Sequence, residues 1–386
     1  MRIVEVRERA VPISRYADPS LPSGGLTTSA VAVTTDVVRD GRPVVGYGFS
    51  SIGRFAQSGL IRERFVPRLF AAPEDQLANA ARTNLDPFRA WSVMMAGEKP
   101  GGHGERCVAV GTLDMALWDA AAKIAELPLN RFLAGLLGRD AARAVPVYAG
   151  GGYYYPAGDD ARLGDEVRCM IDLGYTRAKI KIGGAPLARD LQRIEAVQTL
   201  LGEPQRLAAD AMNAYDGPQS LSAAAALAPR DLWWFEDVTD PLDFEVWAAV
   251  ARAYGGRIAA GEALFSVAEA KLLHRYGGLR PAHDILLFDP VHCYGIPGFL
   301  RIVDELEASG WDRAAFWPHG GHLFTLHVAS ALGLGGSEMN PFCFAPFGGL
   351  ADTGIVANGT AAPPRLPGIG FEGKADLYAE MQKLSA

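Results

Sequence analysis

Eight short apolar runs, each followed by a turn and an amphipathic helix, constrain the fold of this chain more than any other feature. They start 18 to 33 residues apart, which leaves room in most intervals for a strand, a helix and two loops. The runs are VPVYAG at 145, AKIKIGG at 178, RLAADAM at 206, LWWFED at 232, RIAAGEA at 257, DILLFDP at 284, AAFWPH at 314 and LGLGGSE at 332. Eight such units predict an α/β protein with a (β/α)8-type, modified TIM barrel; an open doubly wound sheet is the alternative.

The segments outside the eight runs predict two smaller parts. Asp40-Gly41 separates two apolar stretches, as in a β-hairpin, and Thr112 to Ala125 has a helical apolar stripe. We therefore expect an N-terminal α+β capping domain over residues 1–140 and the catalytic barrel over residues 141–350. Residues 351–386 are rich in Gly and Pro and add no βα unit, so we expect them to pack back on the capping domain.

Composition and charge restrict the partners and the compartment. The 386 residues carry 37 Lys and Arg against 44 Asp and Glu, a net charge of -7, which argues against nucleic acid or an anionic membrane as a partner. The four cysteines include no CxxC pair, which argues against a disulfide framework or a thiolate zinc site. No run of about 18 apolar residues is present. We expect a soluble, cytoplasmic protein.

Ionisable residues follow the apolar runs at the end where barrel active sites lie. The carboxyl ends of parallel strands meet at one mouth, so side chains at these positions should converge there. Asn213 lies just beyond one of them, Asp210. The converging residues are Lys179, Lys181, Asp210, Glu236, Glu262, Asp289, His319 and Glu338.

Three of these residues predict a metal site. Asp210, Glu236 and Glu262 are spaced by 26 residues, one βα unit each, so they should lie on adjacent strands. Three carboxylates repel one another unless a cation neutralises them. Ligation by oxygen alone indicates a hard ion with coordination positions left for substrate and water, and Mg²⁺ fits better than zinc. The alternative for any one of them is an acid that caps the following helix.

Two lysines on one strand predict an amine base. Lys179 and Lys181 are two residues apart, so both side chains should point into the barrel mouth. Two like charges lower each other's pKa, which favours proton acceptance near neutral pH. The alternative is a pair of solvated lysines on an edge strand, but a closed barrel has no edge.

A histidine opposite the lysines predicts a second acid or base. His319 ends the seventh run, and Asp289 ends the sixth; a carboxylate beside a histidine fixes its tautomer and raises its pKa. His322 is close in the chain, and the HGGH segment could instead be a metal-binding pair. We prefer His319 because His322 should already begin the next helix.

These residues together resemble the enolase superfamily, and within it the mandelate racemase subgroup. The resemblance covers nearly the whole chain, including ALWDAAAK at 116, the Lys-x-Lys pair, the three carboxylates, the Asp-His dyad and PGIGFE at 367. The segments VAVTTDVVRDGRPVVGYGF, SGLIRERF and EKPGGHGERCVAVGT are most similar to the D-tartrate dehydratase family. One departure is EDVTDP at 236, where many relatives have Glu-x-Pro directly.

The resemblance implies a mechanism and a set of binding residues. Lys181 would remove the proton alpha to a carboxylate, with Lys179 keeping its pKa low, while His319, held by Asp289, would protonate a departing beta hydroxyl. Lys99 matches a lysine that reaches the substrate in those dehydratases, and Glu338 matches an acid of the eighth strand. The expected substrate-binding residues are Lys99, Asn213, Glu338 and His322.

The predicted function is that of a Mg²⁺-dependent hydro-lyase for acid sugars, with tartrate losing water to give oxaloacetate. Its partner is a small hydroxy acid, and barrels of this kind commonly form homo-oligomers. A racemase or epimerase would use the same residues, and a dehydratase for another sugar diacid fits equally. A barrel that lost catalysis and serves in binding is the remaining alternative.

Overall fold

The computed structural model describes residues 2–385. It opens with an antiparallel sheet of three strands, β1 (Ile3–Pro12), β2 (Thr27–Arg39) and β3 (Arg42–Phe49), in that order. Asp40 and Gly41 join β2 to β3 with φ angles of 49° and 75°, so the predicted hairpin is confirmed. An Asp-Gly pair suits this turn because both residues tolerate positive φ.

A long buried helix holds this sheet against the rest of the molecule. After a π-helix at Leu60–Phe65 come α1 (Val66–Ala71), α2 (Pro87–Met95), α3 (Glu105–Ile124) and α4 (Leu129–Leu136). Almost every residue of α3 is buried, because one of its faces packs on β2 and β3 and another on the barrel.

The barrel follows, as predicted, and its described strands lie in, or at the end of, seven of the eight apolar runs. Its strands are β4 (Val145–Gly150), β5 (Ala178–Lys181), β6 (Leu207–Asp210), β7 (Trp234–Glu236), β8 (Ile258–Ala260), β9 (Ile285–Leu286) and β10 (Ser337–Met339). Its outer helices are α5 (Asp159–Asp172), α6 (Leu187–Leu201), α7 (Gly217–Leu227), α8 (Phe244–Tyr254), α9 (Val267–Tyr276), α10 (Ile296–Ala308) and α11 (Leu323–Leu332). Neighbouring strands from β4 to β9 pair in parallel, and β10 pairs in parallel with β4.

The stretch between β9 and β10 differs from the regular strand that the AAFWPH run predicts. A 3-10 helix at Arg313–Ala315 occupies its start, so only Phe316 forms a bridge, with Leu286 of β9. The amide of Glu338 in β10 donates to the carbonyl of Pro318 at 3.3 Å, which completes the ring of strands. The last strand also begins later than predicted, because Leu332 still belongs to α11 and Gly333, with φ of 64°, ends that helix.

The C-terminal segment returns to the N-terminal sheet. A small hairpin of β11 (Val356–Ala357) and β12 (Thr360–Ala361) pairs antiparallel with the start of β4. Beyond it α12 (Ala375–Gln382) approaches β2, with an ion pair of 2.6 Å between Arg9 and Glu380. The bounds of the three domains and the packing of residues 351–386 on the capping domain stay predictions.

The interior of the barrel is filled by aromatic side chains below the mouth. Trp233, Trp234, Trp317 and Tyr148 pack together with ring centroids 3.8 to 6.1 Å apart. We call these four residues the aromatic plug. The guanidinium of Arg177, the residue before β5, lies 4.6 Å from the centroid of the Trp233 ring and marks the amino ends of the strands.

Among the described helices, none combines the length and the apolar character that a membrane-spanning helix needs.

Replacing Gly111 with alanine should destabilise the contact between α3 and the barrel. A Cβ atom at Gly111 would lie 1.8 Å from the carbonyl oxygen of Val291, in the loop that follows β9. We expect the free energy of unfolding to fall by about 1 to 3 kcal/mol, the usual range for overpacking. Urea denaturation of both proteins measures it.

The matched control is Gly135→Ala, also inside a helix. A Cβ atom there meets no heavy atom within 4 Å, so alanine should leave stability unchanged or raise it by up to about 1 kcal/mol. Equal unfolding midpoints for the two variants would contradict the close approach at Gly111.

Candidate active site

The strand ends bring the predicted lysines and carboxylates together. Lys181 is opposite Asp210 in the β5–β6 pairing, and Asp210 is opposite Glu236 in the β6–β7 pairing. The parallel register of β5, β6 and β7 aligns the last residues of the three strands. All of these side chains are buried at the carboxyl end of the barrel, as the sequence predicts.

Lys179 is enclosed by three carboxylates. Its Nζ atom lies 2.6 Å from Glu236, 3.0 Å from Glu338 and 3.5 Å from Asp210, and 1% of its side chain is exposed. Burial lowers the pKa of Lys179, but the charges of Glu236 and Glu338 outweigh burial and raise it well above its usual value. Lys179 is therefore a fixed positive charge beneath the mouth.

Lys181 donates a hydrogen bond to Asp210, and this corrects one prediction. Burial and the charge of Lys179 both lower the pKa of Lys181, as expected, but the Asp210 carboxylate outweighs them and the net pKa is raised. The sequence shows the two lysines as neighbours but not the carboxylate that one of them contacts across the strand pair.

The carboxylates next to these lysines fit a hard cation. One oxygen each from Asp210, Glu236 and Asp237 lie within 4.8 Å of one another, and all three residues are buried. Burial raises the pKa of Glu236 and, together with the charges of Glu262 and Asp210, that of Asp237. Crowded acids of this kind carry full charge only beside a positive ion, and an all-oxygen donor set suits Mg²⁺.

Glu262 lies at the edge of this group. It follows β8 by two residues, and its Oε1 atom is 3.4 Å from Nε2 of His319. Its charge raises the pKa of Asp237, so the two carboxyls are within electrostatic reach. The structure thus brings Asp210 and Glu236 together and places Glu262 beside them on the cavity wall; the three-ligand set stays a prediction.

The predicted dyad of Asp289 and His319 is present as a hydrogen bond. Nδ1 of His319 lies 3.0 Å from Oδ2 of Asp289, and the same oxygen accepts a hydrogen bond of 2.6 Å from the Ser51 hydroxyl. Burial lowers the pKa of His319, but Glu262 and the Asp289 hydrogen bond outweigh it and raise the pKa to about 9. His319 is therefore a proton donor at neutral pH.

Two further histidines surround Asp289. His322 contacts the Ser51 hydroxyl at 2.9 Å, and Nε2 of His292 lies 3.8 Å from Asp289. Burial lowers the pKa of each histidine to about 4, so both are neutral. Neither ring nitrogen of His292 has a hydrogen-bond partner among residues 2–385.

The lysine and the histidine face one small cavity. It has a volume of about 30 Å³, and its capping-domain wall is Ile52 and Gly53. Glu338 lines it too and accepts a hydrogen bond of 3.1 Å from the Gly320 amide. The remaining lining residues are Gly151, Tyr153, Lys181, Glu262, His319, Asn340 and Phe344.

Three of the predicted substrate-binding residues do not line this cavity. The side-chain amide of Asn213 donates to the Thr239 carbonyl at 2.7 Å, and His322 lies behind Ser51. Lys99 is exposed and borders a separate cavity of about 310 Å³ with Trp91 and Tyr294. Only Glu338 of the four is in the wall, and the roles of the others stay predictions.

Comparison with known families decides the relationship. The family model described as Enolase C-terminal domain-like matches residues 162–377, more than half of the chain. The protein belongs to the enolase superfamily. The resemblance inferred from the sequence is confirmed at this level, while a specific relation to D-tartrate dehydratases is not.

Curated relatives of this enolase-superfamily protein include dehydratases. An arabinonate dehydratase of Saccharolobus solfataricus is 28% identical over 285 residues, which cover 72% of this chain and 74% of the relative. An L-talarate/galactarate dehydratase of Salmonella typhimurium is 29% identical over 308 residues, covering 79% of this chain and 71% of the relative.

Solved structures share the whole fold. A racemase from Streptomyces coelicolor A3(2) with bound magnesium superposes with a TM-score of 0.77 at 25% identity, covering 99% of each chain. An L-talarate dehydratase from Polaromonas sp. JS666, complexed with Mg and L-glucarate, gives a TM-score of 0.73 at 26% identity and covers 96% of this chain and 94% of that one. The barrel with its N-terminal capping domain is therefore the fold of this superfamily member.

Sequence reasoning missed Asp237 in this site. Neighbouring residues of a strand point to opposite faces, so a carboxylate directly after Glu236 is expected to point away. The chain instead turns at the end of β7, where Asp237 has φ of 46°. The pair of adjacent acids in WFED was the available signal. Ser51 and Tyr153 lie in loops, and no sequence pattern could have identified them as site residues.

Replacing Glu262 or Asp237 by its amide distinguishes the third metal ligand. Glu262 reaches from the cavity wall with 22% of its side chain exposed, whereas Asp237 is buried, and burial raises its pKa and so disfavours the charged form that ligates a cation. We expect Glu262→Gln to weaken Mg²⁺ binding by about tenfold or more and Asp237→Asn by less than about threefold. Isothermal titration calorimetry with Mg²⁺ measures both, and the reverse ranking would assign the ligand to Asp237.

Proposed function

We propose that this protein is a Mg²⁺-dependent dehydratase of a hydroxy acid. The observation that carries the proposal is that Lys181 and His319 line the same cavity, with carboxylates held beside both. An amine and a protonated imidazole at one cavity provide the acceptor and the donor that elimination of water needs. The dehydratases among its relatives support the same class of reaction.

Lys181 takes the proton alpha to the substrate carboxylate. Its Nζ atom is at the cavity wall, and Lys179 directly below adds a fixed positive charge that stabilises the anion formed. Asp210, Glu236 and Glu262 would hold Mg²⁺, which would supply Lewis acidity at the substrate carboxylate and would offset the Asp210 charge that raises the pKa of Lys181.

His319 delivers a proton to the beta hydroxyl as it leaves. The Asp289 bond fixes Nδ1, so that Nε2 faces the cavity beside Glu262. The enol that results, which keeps the carboxylates of the substrate, tautomerises to a 2-keto acid. Glu338, ion-paired with Lys179, stays a carboxylate because Lys179 lowers its pKa against the effect of burial.

D-tartrate is the first substrate that we propose, with oxaloacetate as the product. The resemblance of the capping segments to D-tartrate dehydratases supports it. Another sugar diacid is the nearest alternative. We further propose that the protein is cytoplasmic and forms homo-oligomers.

A racemase or epimerase is the second candidate, and the similar racemase from Streptomyces coelicolor favours keeping it. In that reaction His319 would return a proton to carbon instead of oxygen. The same groups then interconvert two stereoisomers without loss of water.

A substrate screen tests the proposal. Mono- and diacid sugars, including D-tartrate, are incubated with the protein and Mg²⁺, and keto-acid formation is followed together with deuterium incorporation from D₂O. A keto acid supports dehydration. Deuterium incorporation with inversion and no keto acid supports the racemase, and neither turnover nor Mg²⁺ binding would leave a non-catalytic barrel.

A further inference from the structure

The catalytic cavity is much smaller than the substrates of the proposed reaction. Its volume of about 30 Å³ corresponds to about two water molecules. A hydroxy acid of four or more carbons therefore needs space that adjoins this cavity. The space must share a wall with it and lie at the mouth of the barrel.

A second cavity of about 260 Å³ meets both conditions. Its floor consists of residues that follow β4, β5 and β6, and residues of the loop after β1 cover it. Tyr153 lines both cavities and separates them. The lining residues are Arg15, Tyr16, Tyr153, Tyr154, Ile182, Gly183, Gly184, Ala211, Met212 and Ala214.

Two cations contact the dividing ring. Nζ of Lys181 is 5.1 Å from the centroid of the Tyr153 ring, and Cζ of Arg15 is 5.7 Å from the same centroid. The two positive groups are therefore no more than about 11 Å apart. One is the proposed base, and the other lies in the adjoining cavity.

Arg15 has no anionic partner within the part of the chain that the structure describes. Its Nε atom is buried without a hydrogen-bond partner in residues 2–385, and its Nη2 atom reaches only the Ser23 carbonyl, at 3.5 Å. Arg162, in contrast, lies 4.0 Å from Asp18 of the same loop. A buried donor without an acceptor is costly, which makes the Arg15 guanidinium a place for an incoming anion.

We infer that Arg15 binds the distal carboxylate of a hydroxy diacid whose reacting end lies at Lys181, with the Tyr153 ring displaced between the two cavities. The inference rests on the proposed function and names its substrate class. No acidic residue among residues 2–385 lines the second cavity, and Arg15 is its one positively charged lining residue in that range. Ile182, Ala211 and Met212 offer apolar contact to the carbon chain.

The loop after β5 is shaped to keep this cavity open. A Cβ atom at Gly184 would lie 2.7 Å from the Tyr154 ring, so only glycine allows the loop to lie against that ring. The Tyr154 hydroxyl in turn hydrogen-bonds the Asp190 carboxylate and accepts from the Gly184 amide at 3.2 Å. The Tyr154 ring is thus fixed from behind. The Tyr153 ring instead packs edge-on against Phe344, with ring centroids 6.0 Å apart.

Arg15→Gln tests the inference, with Arg162→Gln as the matched control from the same region. Binding of glutarate and of pentanoate, an inert diacid and monoacid of equal length, is measured by calorimetry with Mg²⁺ present. Turnover is compared for galactarate and galactonate. We expect Arg15→Gln to weaken glutarate binding and lower kcat/KM for galactarate by about 10- to 100-fold, the effect of losing one charge-assisted bidentate contact. Pentanoate, galactonate and every Arg162→Gln value should change by less than about threefold.

The outcomes separate this inference from the proposed function. Equal losses for diacid and monoacid in Arg15→Gln would overturn the inference, because a merely structural arginine affects both. No loss at all would overturn it too. If glutarate binding depends on Arg15 but no hydroxy acid is turned over, the carboxylate site stands and the dehydratase proposal falls. If a hydroxy acid is turned over but neither turnover nor glutarate binding depends on Arg15, the dehydratase proposal stands and the carboxylate site falls.

Discussion

The Lys181→Ala variant is expected to lose exchange of the alpha proton by about 10³-fold or more, at the upper end of what one general base contributes. Lys181 is the lysine that borders the cavity, whereas Lys179 lies below it among three carboxylates. Removal of the amine takes away the group that receives the proton. Exchange is followed by ¹H NMR of the substrate in D₂O.

Loss of Lys181 also leaves Asp210 without its closest partner, so folding must be checked independently. Lys181→Met keeps most of the side-chain volume, and circular dichroism with Mg²⁺ calorimetry reports whether the site is intact. Lys271→Ala is the control, since Lys271 pairs with Glu305 on the outer helices at 3.0 Å. A folded, Mg²⁺-binding Lys181 variant with undiminished exchange would exclude this lysine as the base.

His319→Asn is expected to slow loss of water by about 10²- to 10⁴-fold while alpha-proton exchange continues within about tenfold of the original rate. The two effects differ because, in the proposed mechanism, His319 protonates the leaving hydroxyl and Lys181 accepts the alpha proton. Asparagine keeps a polar group near Asp289 but supplies no acid. Keto-acid formation and deuterium exchange are measured on the same sample.

The control for this variant is His274→Asn on α9, whose Nδ1 atom contacts the Trp311 indole at 3.2 Å, outside the barrel mouth. It should leave both rates unchanged. Equal loss of exchange and dehydration in His319→Asn would contradict the separate roles of His319 as the acid and Lys181 as the base. Full dehydration activity would remove His319 from the mechanism.

The barrel and several of its site residues can be predicted from periodic features of the chain. Parallel strands end at one mouth, so spacing alone brought Lys179, Lys181, Asp210 and Glu236 together. The pairing of Asp289 with His319 has the same origin, since the two residues end neighbouring runs. The pattern works wherever a side chain follows a strand directly.

The rest of the site depends on turns and loops, which the apolar pattern does not describe. Asp237 joins the carboxylates through a positive φ, and Tyr153 and Arg15 enter from segments without periodicity. Asn213, also at positive φ, turns towards Thr239 and away from the cavity. The raised pKa of Lys181 likewise arises from a contact across strands that spacing does not reveal.

The aromatic plug closes the barrel at the end opposite the mouth. Trp233, Trp234, Trp317 and Tyr148 pack together there, so in the proposed reaction the substrate and its products all have to enter and leave at the capped end. Substrate entry and product release then share the route past Tyr153, which lines both cavities. With the carboxylate site inferred above, displacement of the Tyr153 ring then accompanies product release as well as substrate binding.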